Sequence, residues 1–164
     1  MPRINLQSTN RKVIMLTTFL TILFVIITFI IPTLLFNIIP QSVIGSYFTN
    51  HMYYAYAVLP IILYISIIGF YYYSIKIDAY IMHITSYRII SGLLKVKNYI
   101  ELPHDMLRQF SFFNRPFTVN KTLMLKLQDG SGKIIIKRFN LSFLSKSEER
   151  RISEVLEKII AKNS

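Results

Sequence analysis

The sequence VIMLTTFLTILFVIITFIIPTLLF, residues 13–36, contains no charged side chain. A second uncharged stretch, residues 55–75, follows after a short link. Each stretch reaches the roughly 20 residues that an α-helix needs to cross the hydrocarbon core of a bilayer. The backbone must bond to itself in hydrocarbon, which favours a helix even where β-branched residues are frequent. The two stretches therefore predict a two-helix transmembrane hairpin over residues 13–75.

The first stretch has the features of a retained helix rather than of a cleaved signal peptide. Its apolar run is longer than the usual run of about 7–15 residues, and no A-x-A-like site follows it.

Three threonines, Thr17, Thr21 and Thr28, fall on one face of the predicted helix. They either contact the second helix or bond to their own backbone.

Tyrosines bracket the second stretch and match the aromatic belts found at membrane interfaces. They are Tyr53, Tyr54 and Tyr56 on one side and Tyr71, Tyr72 and Tyr73 on the other.

Basic residues predict the orientation in the membrane. Of the 19 Lys and Arg residues, three precede the first stretch, none lies in residues 37–52, and 16 follow residue 75. Cytoplasmic flanks carry such an excess, so both termini are expected to be cytoplasmic. Residues 1–12 then form a basic cytoplasmic N-terminus. Residues 76–164, with 16 basic and eight acidic side chains and a net charge of +8, form a cytoplasmic domain beside the anionic inner leaflet of the cell membrane.

The cytoplasmic domain is expected to be rich in strands. Short runs of Ile, Tyr and Val between turn residues predict strands at 80–84, 88–93, 96–101, 109–113, 122–128 and 133–139. The last two flank the sequence DGSG at 129–132, which is a hairpin turn because no helix and no GK[ST] signature follows it.

The chain closes on a predicted amphipathic helix over residues 145–162. Ser145 and Glu148 have capping-box spacing. The apolar stripe, Ile152, Val155, Leu156, Ile159 and Ile160, is expected to pack on the sheet. The fold class is therefore an α+β membrane protein, with a two-helix hairpin followed by an antiparallel sheet domain and a C-terminal helix.

This order of parts resembles the membrane-flanked bacterial pleckstrin-homology-like family. The local sequence carries the resemblance in YIMHITSYRIISG at residues 80–92 and IELPHDML at residues 100–107, which match that family's strand, turn and proline-ended strand pattern. The resemblance extends over residues 13–160. It implies a PH-like antiparallel sheet or barrel with a capping helix, and envelope-stress or bacteriocin-resistance roles. A photosystem assembly factor with two helices shares the outline, but its characteristic soluble-domain sequence is not visible here.

The residues give no support for an enzyme or for a bound cofactor. The chain has no cysteine, which excludes disulfides and thiolate chemistry. Its histidines, His51, His83 and His104, have no spacing that suits a metal, and its acids form no pair placed for acid–base work. Nucleic acid is not expected as a partner, because no reading element is present.

Two sets of side chains are candidates for binding. Lysines are candidates for contact with anionic lipid, although they also follow the positive-inside bias: Lys95, Lys97, Lys133 and Lys137. Phenylalanines are candidates for contact with a protein, with completion of the domain core or contact with the bilayer as alternatives: Phe110, Phe112, Phe113 and Phe117.

The favoured function is a non-enzymatic, membrane-anchored scaffold whose domain binds another membrane protein or its own copies. An accessory subunit of a larger membrane complex, in secretion, respiration or photosystem assembly, is the alternative. Either function implies an oligomer or a complex subunit.

Overall fold

The computed structural model describes residues 5–38, 46, 50, 53–89 and 98–163. The chain divides into two compact units. A sheet unit contains Met1–Ile14 and Phe70–Ser164, and a helical unit contains Met15–Gly69.

The first helical segment begins at Arg11 and continues almost without interruption. It consists of α1 (Arg11–Val25), a π-helical stretch (Ile26–Ile30) and α2 (Ile31–Ile38). Pro32 has no N–H to donate to a preceding carbonyl, and the helix widens just ahead of it. The hydroxyls of Thr21 and Thr28 donate to the carbonyls of Thr17 and Phe24 at 2.8 and 2.7 Å, so both bond to their own helix.

Among the described residues, the run Arg11–Leu34 is long and apolar enough to cross a membrane, with a mean hydropathy of 2.8. Most of its large apolar side chains, such as Phe19 and Leu23, are exposed, while one face that includes Ile14, Thr21 and Val25 is buried or partly buried. So many exposed apolar side chains suit a helix in contact with lipid. The length and composition expected of the first span are therefore present.

The second expected span, residues 55–75, is not one helix. Helix α3 (Tyr53–Ile68) ends at Gly69, whose φ of 68° is typical of a helix C-terminus. Strand β2 (Tyr71–Ile77) follows at once. With 16 residues, helix α3 is shorter than the roughly 20 residues expected of a membrane span. Tyr71, Tyr72 and Tyr73 therefore lie in a sheet rather than at the end of a membrane helix.

Four antiparallel strands form sheet A, in the order β1-β2-β3-β4. They are β1 (Leu6–Thr9), β2, β3 (Ile81–Arg88) and β4 (Asn98–Pro103). Strand β1 precedes the apolar helices, yet it pairs with β2 from Leu6 opposite Ile77 to Thr9 opposite Ser74. The N-terminus, expected as a basic tail, thus contributes an edge strand. The predicted strand at 88–93 falls largely outside the described residues.

Sheet B contains β5 (Leu107–Asn114), β6 (Asn120–Gln128) and β7 (Ile134–Ser142), in that order and antiparallel. A 3₁₀ turn, His104–Met106, leads from β4 into β5. The predicted β6–β7 hairpin is confirmed. One Asp129 carboxylate oxygen accepts hydrogen bonds from the N–H of Ser131 and of Lys133, both at 2.9 Å, and Gly132 adopts a φ of 83°.

Helix α4 (Lys146–Asn163) packs on the core between the sheets. Ile152, Leu156 and Ile159 are buried and Val155 is partly buried, as the apolar stripe predicts. The predicted capping box is present, because Ser145 Oγ accepts from the Glu148 N–H at 3.2 Å. The structure is α+β, with two antiparallel sheets and a C-terminal helix.

Candidate functional site

The outer face of sheet A carries an open groove of about 520 Å³. Every second residue of β2 and β3 points into it, because side chains alternate across a strand. The register places Lys76 opposite His83, Ser74 opposite Thr85, and Tyr72 opposite Tyr87. The lining consists of Tyr72, Ser74, Lys76, Asp78, His83, Thr85, Tyr87 and Tyr99. We call this surface the sheet A groove.

One end of the sheet A groove is polar and charged. His83 lies between two carboxylates, with Nε2 at 3.9 Å from Asp78 Oδ2 and Nδ1 at 3.5 Å from Glu101 Oε1. The Tyr99 hydroxyl donates to Glu101 Oε2 at 3.0 Å, and this hydrogen bond raises the pKa of the Tyr99 phenol. This part offers both donors and acceptors to a bound molecule.

The other end of the groove is aromatic. The Tyr72 and Tyr87 rings lie with centroids 4.8 Å apart and tilted by 36°. Tyrosine rings combine an apolar body with a hydroxyl group, which is why they are enriched where proteins bind one another. This end of the groove therefore offers aromatic surface that also carries hydroxyl groups.

A buried polar cluster holds the N-terminal strand in the sheet unit. The Asn10 amide Nδ2 donates to the carbonyls of Tyr71 at 2.8 Å and Ser142 at 2.9 Å, and Asn10 Oδ1 accepts from the Tyr73 N–H at 2.9 Å. Ser142 Oγ accepts from the Tyr71 N–H at 2.7 Å and donates to Asn120 Oδ1. Burial raises the pKa of the neighbouring Tyr73 phenol to about 12. The cluster is structural, because its polar atoms bond to one another.

The four predicted phenylalanines do not form one exposed cluster. Phe110 and Phe112 pack against the core, with ring centroids 6.0 Å apart in a T-shaped arrangement. Phe113 is 51% exposed on β5, and Phe117 is 92% exposed at the tip of the β5–β6 hairpin. Phe110 and Phe112 thus complete the domain core, as one of the predicted alternatives has it, while Phe113 and Phe117 remain accessible.

The predicted lysines are also distributed over the domain. Lys133 lies in the β6–β7 turn, and Lys137 lies on β7 beside Tyr99 and Ile100. Lys95 and Lys97 lie outside the described residues. The structure therefore brings no two of these four side chains into one described site.

The sheet A groove was not predicted, although the alternation of side chains in β2 and β3 indicates it. Polar or aromatic residues alternate with buried ones in YYYSIKI at 71–77 and IMHITSYR at 81–88. Extending the second membrane span to residue 75 hid this alternation in β2. Gly69, which ends α3, marks the boundary.

Within the described ranges, no group of three or more His, Cys, Asp or Glu side chains could hold a metal ion. Comparisons of the chain with protein-family models, with curated proteins and with solved structures found no match.

Proposed function

We propose that this chain is a two-pass membrane protein and a non-enzymatic assembly module with a PH-like sheet domain. The domain binds another membrane protein, or a second copy of the chain, at the cytoplasmic face of the cell membrane. Its antiparallel sheets and C-terminal helix are in keeping with the resemblance to the bacterial pleckstrin-homology-like family. Envelope-stress and bacteriocin-resistance roles follow from that resemblance alone.

The division of the chain into units supports the two-pass arrangement. Met1–Ile14 and Phe70–Ser164 belong to one sheet unit, joined by β1–β2 pairing. One folded unit lies on one side of a membrane, so the chain between Ile14 and Phe70 must cross an even number of times. If Arg11–Leu34 crosses, the chain has to return before Phe70. The apolar helix α3 is the described segment available for that return.

The charge distribution supports a cytoplasmic sheet unit. All 19 basic residues lie in residues 1–12 or after residue 75, and none lies in residues 37–52. The positive-inside rule places such flanks in the cytoplasm. The anionic inner leaflet then adds an attraction for the domain, which has a net charge of +8 from residue 76 onward.

The sheet A groove is the observation that carries the binding role. Its tyrosines, His83 and Lys76 lie on an open face of about 520 Å³ and combine aromatic surface with charged groups. Buried Tyr side chains at the centre of interfaces often dominate binding energy. The face suits a polypeptide with both apolar and charged side chains.

Photo-crosslinking in intact cells tests this binding face. A photoreactive phenylalanine analogue at Tyr99 should give an adduct with a partner or a second copy. The same analogue at Ile136, which is similarly exposed on the outer face of sheet B, should not. Adding Tyr72→Ala should remove the adduct formed from position 99. Equal adducts from positions 99 and 136, or none from 99, would show that the groove is not the binding face.

The exposed helix surface favours an alternative, an accessory subunit of a larger membrane complex for secretion, respiration or photosystem assembly. Large side chains such as Phe19, Leu20 and Phe24 are exposed around the first helix, and in such a complex they would pack against other helices. The photoreactive analogue at Phe19 should then give the dominant protein adduct. Adducts from position 99 alone would exclude this alternative.

A further inference from the structure

Both connections between the two units meet at one end of the sheet unit. The chain leaves that unit after Ile14 and re-enters it at Phe70. Asn10 bonds to the backbone of Tyr71 and Tyr73, so the residues next to the two connections are held together. We call this the junction end.

The β5–β6 hairpin tip, residues 115–119, also lies at the junction end. Asn10 donates to the Ser142 carbonyl at 2.9 Å, and Ser142 pairs with Asn120, the residue that follows the tip. The Phe143 N–H donates to the Val119 carbonyl at 3.0 Å, and the Phe143 ring packs on Phe70 with centroids 5.4 Å apart. One side of the tip is thus bonded to the same residues that hold the two connections.

Hydrogen bonds within the tip close its turn, yet the tip presents apolar surface. The Arg115 N–H donates to the Asn120 carbonyl at 3.2 Å, and Thr118 Oγ1 donates to the Arg115 carbonyl at 3.1 Å. Phe117 is 92% exposed and Val119 is 46% exposed. Phe117 has a φ of 57°, a conformation that a bulky side chain rarely adopts. Strained residues of this kind cluster at binding and switch sites.

Basic side chains lie in the tip and next to the first connection. Arg115, in the tip, and Arg11 and Lys12, at the first connection, are exposed. Aromatic and basic side chains at the same end of the sheet unit suit the interface of an anionic bilayer, where a ring enters the acyl boundary and cations meet phosphate groups.

We infer that the hairpin tip inserts Phe117, with Val119 beside it, into the interfacial layer of the bilayer. This inference rests on the proposed membrane crossing by the helical unit, because both connections to that unit lie at the end that carries the tip. The tip adds a third attachment point and fixes the tilt of the sheet unit on the inner leaflet. The lipid-facing groups are then Phe117 and Arg115, and not Lys133.

The opposite end of the sheet unit provides a matched control. Strand β2 runs from Tyr71 at the junction end for seven residues, or roughly 20 Å. Beyond it, Tyr80 lies in the β2–β3 turn and is 77% exposed. Tyr80 is thus an aromatic turn residue of similar exposure to Phe117, and it lies far from the connections.

The experiment uses the absence of tryptophan from the chain. Phe117→Trp, Val119→Trp and Tyr80→Trp are each introduced into the full-length protein, which is reconstituted in phosphatidylcholine–phosphatidylglycerol vesicles with or without brominated acyl chains. The Phe117→Trp and Val119→Trp variants should show blue-shifted emission that brominated lipid quenches. The Tyr80→Trp variant should keep its emission in both lipids.

The outcomes separate this inference from the proposed function. A protein that fails to float with the vesicles contradicts the membrane crossing, and the insertion falls with it. A protein that floats while the Phe117→Trp and Val119→Trp variants escape quenching overturns the insertion alone. Equal quenching of the Tyr80→Trp variant also overturns it, because the contact would then not belong to the junction end.

Discussion

Phe117 combines a strained backbone with an exposed side chain. The strain lowers the stability of the fold, whereas the exposure leaves the ring available for membrane contact. Its φ of 57° costs an L-residue about 1–2 kcal/mol relative to glycine. Its side chain is largely exposed, so its removal sacrifices little packing. Phe117→Gly should therefore raise the free energy of unfolding by about 1 kcal/mol. Thermal unfolding of the full-length protein in mild detergent measures this change.

Phe113→Gly is the matched control for the strain argument. Phe113 is also exposed but lies within β5, where glycine costs backbone entropy. This variant should be less stable than the wild type by about 1 kcal/mol. A loss of stability in both variants would show that the Phe117 backbone is not strained.

His104 makes the sheet unit sensitive to acid. Burial, and next the positive charge of Lys162, lower the pKa of His104, while a backbone hydrogen bond at Ile81 and the charges of Asp105 and Asp78 act in the opposite direction. The folded state therefore prefers the neutral ring, whereas the unfolded chain takes up a proton below the ordinary pKa near 6.5. The contribution of His104 is present above that pH and is lost as the pH falls towards the lowered value.

The pH prediction is tested by His104→Gln, which keeps a polar side chain without the titration. Unfolding of the wild type should become easier between pH 7 and pH 5, and the variant should lose less stability over the same interval. All other side chains are the same in both proteins, so the difference isolates His104. Parallel pH profiles would contradict the assignment.

Among the elements, the terminal helix α4 joins the two sheets through its apolar stripe. Leu156 is 1% exposed in the core that β5, β6 and β7 share with sheet A. Leu156→Ala should reduce the free energy of unfolding by about 2–5 kcal/mol, through lost burial and the cavity that remains. Glu157→Ala, on the exposed face of the same helix, should change it by less than about 0.5 kcal/mol. Equal effects of the two variants in thermal unfolding would refute this packing.

Elements with strong local signals were predictable from the sequence. The DGSG turn, the capping box of α4 and its apolar stripe each depend on residues close together in the chain. Strand β1 could not be found in this way. Its four residues, LQST, carry little apolar signal, and their partner strand β2 lies more than 60 positions away. A pairing of that separation is decided by tertiary packing rather than by local propensity.

The candidate site was predictable only in part for the same reason. Phe117 was singled out by composition, but the link between its hairpin and the segments of Asn10 and Phe70 follows from contacts of Ser142 and Phe143. The sheet A groove depends on β2, and the uncharged run of residues 55–75 favoured a membrane helix there. Hydropathy alone does not distinguish the end of a membrane helix from a strand buried on one face.

At the scale of the whole molecule, the pairing of β1 with β2 constrains the proposed membrane topology. Segments on both sides of the helical unit belong to one sheet, so in a membrane protein they would lie on the same side of the membrane. The distribution of basic residues supports the cytoplasmic side for both segments. The proposed topology thus rests on two independent observations, of which only the second was accessible from the sequence.

Single cysteines in this cysteine-free chain test both observations at once. Gln7→Cys, on β1, and Ser131→Cys, in the β6–β7 turn, occupy exposed positions on opposite sides of the helical unit in sequence. Both should react with a membrane-impermeant maleimide only after lysis, whereas Ser46→Cys, in the link, should react in intact cells. Reaction of positions 7 and 131 on opposite sides would break the shared sheet and leave a single crossing. If positions 7 and 131 both react in intact cells while position 46 is protected, the shared sheet and the two crossings stand but the orientation is reversed. The shared sheet and the orientation are thus contradicted by different labelling patterns.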